Sequence, residues 1–438
     1  MDFQFARRLA ATLGTNVLAF LITFVASVVI ARSVGPEGRG VIALVGLFVL
    51  VVVSLSNLGL GYAAIYFFGS GSYPRNVVFG YVLKHIAFSC LLAWVMGGVV
   101  LQWLGPYVTP NVAREFLWLG MFVINAQLIY NFMSSSALGC HRIAAYNLAS
   151  LIRAGVYLPL FFALALVLRS KIQAALLGDG LAQLGAGGFL LRDLARQSGA
   201  PSLARVRGYT RSAIVFGLPA VLSGILLLLQ NRIGLWLTSR YLTLSDVGYL
   251  SVGLGLVERV LMVPATASNL LFPHVAAQNV LTSRAPQTVW LVRAVAGGLA
   301  GLCLGLGLLA GPLIRTLFGS QFEPAVRPFQ ILLVGAVFLA LFQLMNSDLQ
   351  GRRQSKPGAV VMMIALGVNC WLSWLLLGRY GMNGVAIASS ASFIVSALLL
   401  VPAYLAASQT SLHSLVIGDG KETRLVRRLW RKALGRTG

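Results

Sequence analysis

Long apolar runs, broken by short polar corners, recur along the whole chain, and each is of the ~20-residue length that crosses a bilayer core. The runs predict twelve helices, at about 10–31, 40–68, 77–103, 114–138, 144–168, 172–191, 211–238, 246–278, 287–310, 328–350, 358–377 and 384–407. The first run, Leu9 to Ile30, follows Arg7 and Arg8 but is too long for a signal-peptide core and lacks a small-residue cleavage site, so it reads as a retained span. An even number of spans puts both termini on one side.

Composition narrows the class. The 438 residues are 58% hydrophobic and only 10% charged, against about 25% charged in soluble domains, and the mean hydropathy is +0.83. The chain is expected to be an all-α polytopic membrane protein. Its net charge of +23 is distributed as membrane topology, with no sign of nucleic-acid binding. Basic residues crowd the terminal side, from Arg7 and Arg8 through Arg142, Arg192–Arg211, Arg352 and Arg353 to the tail from Lys421 to Arg436. The opposite side has Arg32, Arg39, Arg114, Arg169, Lys171, Arg240, Arg315, Arg327 and Arg379. Positively charged loops stay inside, so both termini are expected in the cytoplasm. Cys90, Cys140, Cys303 and Cys370 show no ligand or disulfide spacing and read as small apolar residues.

The longest connection, "RDLARQSGAPSLARVRGYTR" at 192–211, is basic and carries Gly, Pro and Ser, as a linker between halves does. It divides the chain into a six-helix lobe at 1–192, a linker at 193–210, a second six-helix lobe at 211–408 and a basic tail at 409–438. The tail segment 421–434 puts Leu425, Leu429 and Trp430 on one helical face opposite Arg and Lys, suiting an anionic inner leaflet.

The halves resemble each other. "ARSVGPEGRGVIAL" (31–44) aligns with "SRYLTLSDVGYLSV" (239–252) at an offset of 208, matching Gly40 with Gly248. "NFMSSSALGCHR" (131–142) aligns with "QLMNSDLQGRRQ" (343–354) at 212, matching Gly139 with Gly351. Two six-span halves that both start from the cytoplasm are parallel repeats, a pattern of transporters that bind substrate between the halves.

Charges inside spans cost at least ~2.5–3.5 kcal/mol at a helix centre and mark cavities or pathways. Lys84 and Arg293 lie within snorkelling reach of the cytoplasmic boundary, and Arg153 is deeper. Arg232 and Arg259 are expected ~9 and ~20 Å from the outer boundary. Two readings stand side by side: a cationic pocket for an anionic headgroup, or a buried ion pair in which Glu258 neutralises Arg232. Pro264 and Pro273 break the eighth span, where the backbone is expected to line a cavity or the protein interior. Asp179, in "LGDG", is either a coupling carboxylate or a helix-end one.

Polar stripes point to a wet centre. Gln127, Asn131, Ser134 and Ser135 share a face of the fourth span, and Gln343, Asn346, Ser347 and Gln350 share the corresponding face of the tenth, with Asn16 and Asn57 on the first two. Interhelical hydrogen bonding is the alternative use of such residues. The rows Gly297–Gly301–Gly305 and Gly384–Ala388–Ser392–Ser396 read as helix-packing faces. No loop is long enough for a soluble catalytic domain, and no phosphate-binding Walker motif is present, so an enzyme is not expected.

The segment "ARSVGPEGRGVIAL" resembles the A-R-x-L-G-P-x-x-x-G corner after the first span of polysaccharide and O-antigen (Wzx-type) flippases, members of the multidrug/oligosaccharidyl-lipid/polysaccharide (MOP) exporter superfamily, with Val34 in place of Leu. "SALGCHRIAAYN" (136–147) is similar to that family's small-Gly-basic corner after span four. The resemblance implies two six-helix lobes around a cavity lined by spans one, two, seven and eight. It implies translocation of an undecaprenyl-diphosphate-linked oligosaccharide from cytoplasmic to periplasmic leaflet of a bacterial inner membrane by alternating access, for exopolysaccharide or O-antigen assembly. The cavity candidates are Arg232, Arg259, Glu258, Arg153, Asn57, Asn16, Gln127, Asn131, Gln343 and Asn346, with Asp179 and Glu258 as coupling groups for H+ or Na+. Beyond membrane lipids, the partners implied are a polysaccharide polymerase or export machinery. The rival readings are a lipid II flippase, an ion-coupled multidrug exporter of the same superfamily, and a non-transporting scaffold of a polysaccharide synthase.

Overall fold

The structure, a computed structural model, describes residues 3–104, 111–202, 204, 206, 208–277, 286–352, 354–410 and 413. All regular elements among these are helical. Among the described residues, eight helices are long and apolar enough to cross a membrane, or nine if the bent pair Leu244–Val260 and Met262–Ser268 is one span. This is a multi-pass membrane protein. The amphipathic tail segment expected at 421–434 lies outside the described residues.

Two units make up the chain, Met1–Tyr249 with Leu317–Gln321, and Leu250–Thr316 with Phe322–Gly438. In the first, α1 (Phe3–Asn57) is kinked at Gly35, whose φ of 72° and ψ of −179° suit a residue without Cβ, and Pro36 opens the next helical segment. This is the corner expected between the first two spans. The second segment is broken again at Leu58 and Gly59, with φ of 48° and 76°, before α2 (Leu60–Ser70). Asn57 helps hold this break, its Oδ1 accepting from the Gly61 N–H at 3.2 Å.

After α3 (Arg75–Val99), α4 (Arg114–Gly139) is the buried centre of the unit, with Leu117, Met121, Ile124, Leu128 and Phe132 enclosed. α5 (Ile143–Val167) and α6 (Lys171–Ser198) pack beside it. Small residues on α6 permit the approach: Ala174, Gly178, Ala182 and Ala186 are buried, and Gly178 lies against the Phe161 backbone of α5.

The expected linker start at 193 shifts to 199, because Leu190, Leu194 and Ser198 extend a buried face of α6. Asp193 also receives Arg142 in a two-pronged ion pair, Nη2 to Oδ1 at 2.7 Å and Nε to Oδ2 at 3.1 Å. The linker that follows is pinned to α3: Ser202 donates to the Asn76 carbonyl at 3.0 Å, and Val206 N–H to the Tyr81 hydroxyl at 2.7 Å. α7 (Tyr209–Tyr241) and the start of α8 (Leu244–Val260) complete the unit.

Here the aligned repeat segments meet. A Cβ on Gly40 would land on the Leu244 carbonyl oxygen, and one on Gly248 would land on the Pro36 carbonyl oxygen. Residues 36 and 244, like 40 and 248, are partners at the offset of 208. The crossing is therefore reciprocal. The second aligned pair also shares local geometry: Arg142 donates to Ala137 O and Gln354 to Leu349 O, each at 2.8 Å and each pair related by 212.

In the second unit, α8 ends at Val260 and bends by 41° into α9 (Met262–Ala277). Pro264 lacks the N–H that would bond the Val260 carbonyl, so the expected single span 246–278 is two helices. α10 (Pro286–Leu308) buries Val292, Leu299 and Cys303. The Gly297–Gly301–Gly305 row is turned away, and a Cβ at any of the three would meet nothing. The packing role expected for that row is corrected. The short α11 (Ala310–Phe318), with Ala310 and Ile314 buried, was not expected.

α12 (Val326–Gly351) is the enclosed helix of this unit, packed on α9, α10 and α13 (Lys356–Ser408), which folds at Gly381 with φ 56°. The expected small face of α13, Gly384, Ala388, Ser392 and Ser396, is buried.

Candidate substrate-binding site

Of the cavity candidates in the first unit, the structure joins Arg153 and Asp179. Arg153 stands near the middle of α5, and its Nη2 lies 3.9 Å from Asp179 Oδ1 on α6. The guanidinium carbon is 5.3 Å from the Tyr130 ring centroid on α4, within cation–π range. Gln183, one turn beyond Asp179, donates from Nε2 to Oδ2 at 2.9 Å. The helix-end alternative for Asp179 is thus corrected: it sits ~12 Å inside α6, paired across to α5.

The remaining polar candidates of this unit are half-buried: Asn16 and Asn57 on α1, Gln127 and Asn131 on α4, and Arg232 on α7. Asn57 and Ser135 close around one point, since a Cβ at Gly61 would be 3.6 Å from the Asn57 amide and 3.2 Å from Ser135 Oγ. The α4 stripe and the α1 break therefore face each other. Arg232 is nine positions before Tyr241, where α7 ends, ~13 Å from that end.

In the second unit, Arg259 occupies the last turn of α8, where a cation complements the negative helix end. Its Nη1 donates to the Gly255 carbonyl at 2.5 Å. Glu258 is exposed. On α12, Ser347 Oγ donates to the Ser268 carbonyl of α9 at 2.6 Å, whereas Gln343 Oε1 and Asn346 Oδ1 are buried carbonyl oxygens with no hydrogen-bond donor. Asn346 Oδ1 is pressed against Gly358 of α13.

One buried charge pair escaped the sequence reading. Arg352, expected as a cytoplasmic loop charge, caps α12 with its side chain 1% exposed, and its Nε donates to Asp348 Oδ2 at 3.0 Å; Asp348 is 0% exposed. Arg352 Nη1 also reaches the Ala407 carbonyl at 3.2 Å. The i,i+4 spacing of 348 and 352 was the available signal. Near the matching corner of the first unit, burial pushes the Cys140 thiol above its usual pKa, which marks an inert sulfur. The neighbouring Asp193 carboxylate raises the Arg142 guanidinium above its ordinary value.

The Arg153 and Asp179 side chains are 40% and 32% exposed although both lie well inside long apolar helices. Charge presented to lipid is costly, and pairing across α5 and α6 lowers that cost.

No protein-family model matches the sequence, and no curated protein matches it. Solved structures match over nearly the whole chain. A lipid II flippase, MurJ, in an inward closed conformation has a TM-score of 0.71 at 13% identity, covering 96% of this chain and 96% of that one. The fold is that of MOP-superfamily transporters. An inward-facing MATE multidrug-resistance transporter of that superfamily gives 0.66 at 13% identity, covering 90% and 96%. The eukaryotic MATE transporter AtDTX14 gives 0.63 at 13%, covering 96% of each chain. These neighbours are a flippase and transporters.

Proposed function

We propose that this protein is a flippase that moves an undecaprenyl-diphosphate-linked oligosaccharide from the cytoplasmic to the periplasmic leaflet of a bacterial inner membrane, for exopolysaccharide or O-antigen assembly. Twelve spans in two six-helix lobes, with both termini cytoplasmic, would carry it by alternating access. The observation that supports the reading is the basic charge on the helices: Arg153 lies near the middle of the long apolar helix α5, Arg232 within α7, and Arg259 at the bend where α8 meets α9. Guanidinium forks match phosphate oxygens, and an exporter of organic cations has no use for a basic lining. Asn16, Asn57, Gln127, Asn131, Gln343 and Asn346 would meet sugar hydroxyls, and Asp179 or Glu258 would couple the cycle to H+ or Na+. A polymerase or export complex would take the product.

A second reading, lipid II as substrate, is favoured by the likeness to MurJ and uses the same diphosphate chemistry. The deciding test is binding and leaflet exchange of an undecaprenyl-diphosphate oligosaccharide, with lipid II as competitor, for the wild type, Arg232→Ala and Arg259→Ala. The reading expects both variants to bind about tenfold or more weakly, about 1.4 kcal/mol each, with folding retained. Unchanged binding would make those arginines structural, and stronger competition by lipid II would select the second reading.

A further inference from the structure

Of the arginine–carboxylate pairs among the described residues, with Arg315–Glu323 an exposed further one, three differ in how the guanidinium is used. Arg142 grips Asp193 with two nitrogens at 2.7 and 3.1 Å. Arg352 bonds Asp348 at 3.0 Å and the Ala407 carbonyl at 3.2 Å. Both guanidiniums are directly hydrogen-bonded to their carboxylates, in the manner of structural pairs. Arg153 is not: its nearest carboxylate oxygen is 3.9 Å away, beyond hydrogen-bond range. Its guanidinium also lies over the face of Tyr130, a contact that takes none of its hydrogen bonds.

Asp179 is arranged to leave that fork unfilled. Gln183, wholly buried, anchors Oδ2 at 2.9 Å, so the carboxylate presents only Oδ1 to Arg153. Its partner stays close enough to balance the charge and too far to satisfy the donors. Gln183 Oε1 is itself buried without a donor, a further polar atom with spare capacity beside the pair. An anion with two oxygens in one plane would complete the fork in a way that Asp179 does not.

We propose that Asp179 is the resident counter-anion of a phosphate subsite on Arg153, displaced from the guanidinium when a phosphate group enters. The empty site then carries a balanced pair at mid-membrane, and the loaded site exchanges one anion for another. The ligand chemistry is a phosphate or diphosphate group. Its source as a polyprenyl carrier rests on the function proposed above, whereas the subsite itself does not.

The test uses the full-length purified protein in a phosphate-free detergent with two probes, undecaprenyl diphosphate and inorganic diphosphate. Asp179→Asn is expected to bind at least one probe about tenfold tighter than wild type. Arg153→Ala is expected to lose that binding, and Asp179→Asn added to Arg153→Ala to gain nothing. A purely structural pair predicts the opposite sign, since removing either partner would loosen the site. Asp179→Ser carries the same expectation should Asp179→Asn fail to fold. Unchanged or weaker binding by the folded Asp179 variant overturns the subsite, as does wild type and variant binding neither probe. A gain with inorganic diphosphate alone keeps the subsite and removes the lipid carrier. Firm binding of the lipid carrier by wild type with no change on substituting Asp179 removes the subsite and leaves the flippase reading standing.

Discussion

Gly40 and Gly248 stand at a close backbone crossing: the place of a Cβ on Gly40 is taken by the Leu244 carbonyl oxygen, and that of one on Gly248 by the Pro36 carbonyl oxygen. The contact is reciprocal at an offset of 208, which is the offset at which "ARSVGPEGRGVIAL" aligns with "SRYLTLSDVGYLSV". A duplicated segment meeting its own copy produces a self-complementary contact of this kind, as two identical subunits do about a two-fold axis.

Adding a methyl group at that crossing must separate the helices. Gly40→Ala and Gly248→Ala are each expected to destabilise the observed conformation by about 1–3 kcal/mol, the ordinary cost of overpacking. Transport should fall with them. Gly297→Ala and Gly301→Ala serve as controls, since a Cβ there meets nothing; they should be neutral or slightly stabilising, alanine being the better helix former by up to ~1 kcal/mol. Thermal unfolding of the four purified variants checks the contrast, and equal effects at the two pairs of positions would refute it.

The Asp348–Arg352 and Arg142–Asp193 pairs should respond differently to truncation. Asp348 and Arg352 are enclosed, so Arg352→Ala or Asp348→Ala leaves an uncompensated buried charge and is expected to cost about 3–5 kcal/mol. Replacing both by apolar residues of similar size should cost less than either single change. Arg142 is exposed and Asp193 half-buried, so Asp193→Ala should cost far less than either change at the enclosed pair. Denaturation of the single and double variants in one detergent measures both.

How far the sequence could be read follows the same distinction between local and cross-chain information. The Gly35–Pro36 corner was legible because positive φ and a proline start are local signals, as was the break ahead of Pro264. The buried face of α13 was legible from its small residues. The Gly297–Gly301–Gly305 row carries the same spacing yet packs against nothing, because helix periodicity says which residues share a face and not which face finds a neighbour. Arg352 was misplaced for a related reason: beside Arg353 and Lys356 it looks like one loop charge among several. Only the fold shows Asp348 one turn behind it and the Ala407 carbonyl across from it. Arg153 and Asp179 were each singled out as charges within or near spans, but their pairing needed the packing of α5 on α6.

The polar row on α12 separates a lining from a packing role. Gln343 Oε1 and Asn346 Oδ1 are buried acceptors without donors, a burden of about 1–3 kcal/mol each when nothing satisfies them. A group that only packs has no reason to keep that burden, whereas one that meets a ligand hydroxyl recovers it on binding. Asn346→Ala is therefore expected to leave the ligand-free protein as stable as wild type or more so. The same variant should show a smaller rise in melting temperature when a lipid-linked oligosaccharide is added. Melting curves with and without that ligand give both quantities on one sample. A lower ligand-free melting temperature combined with an undiminished ligand-induced rise would assign the row to packing, because the missing donors would then be supplied by the protein itself.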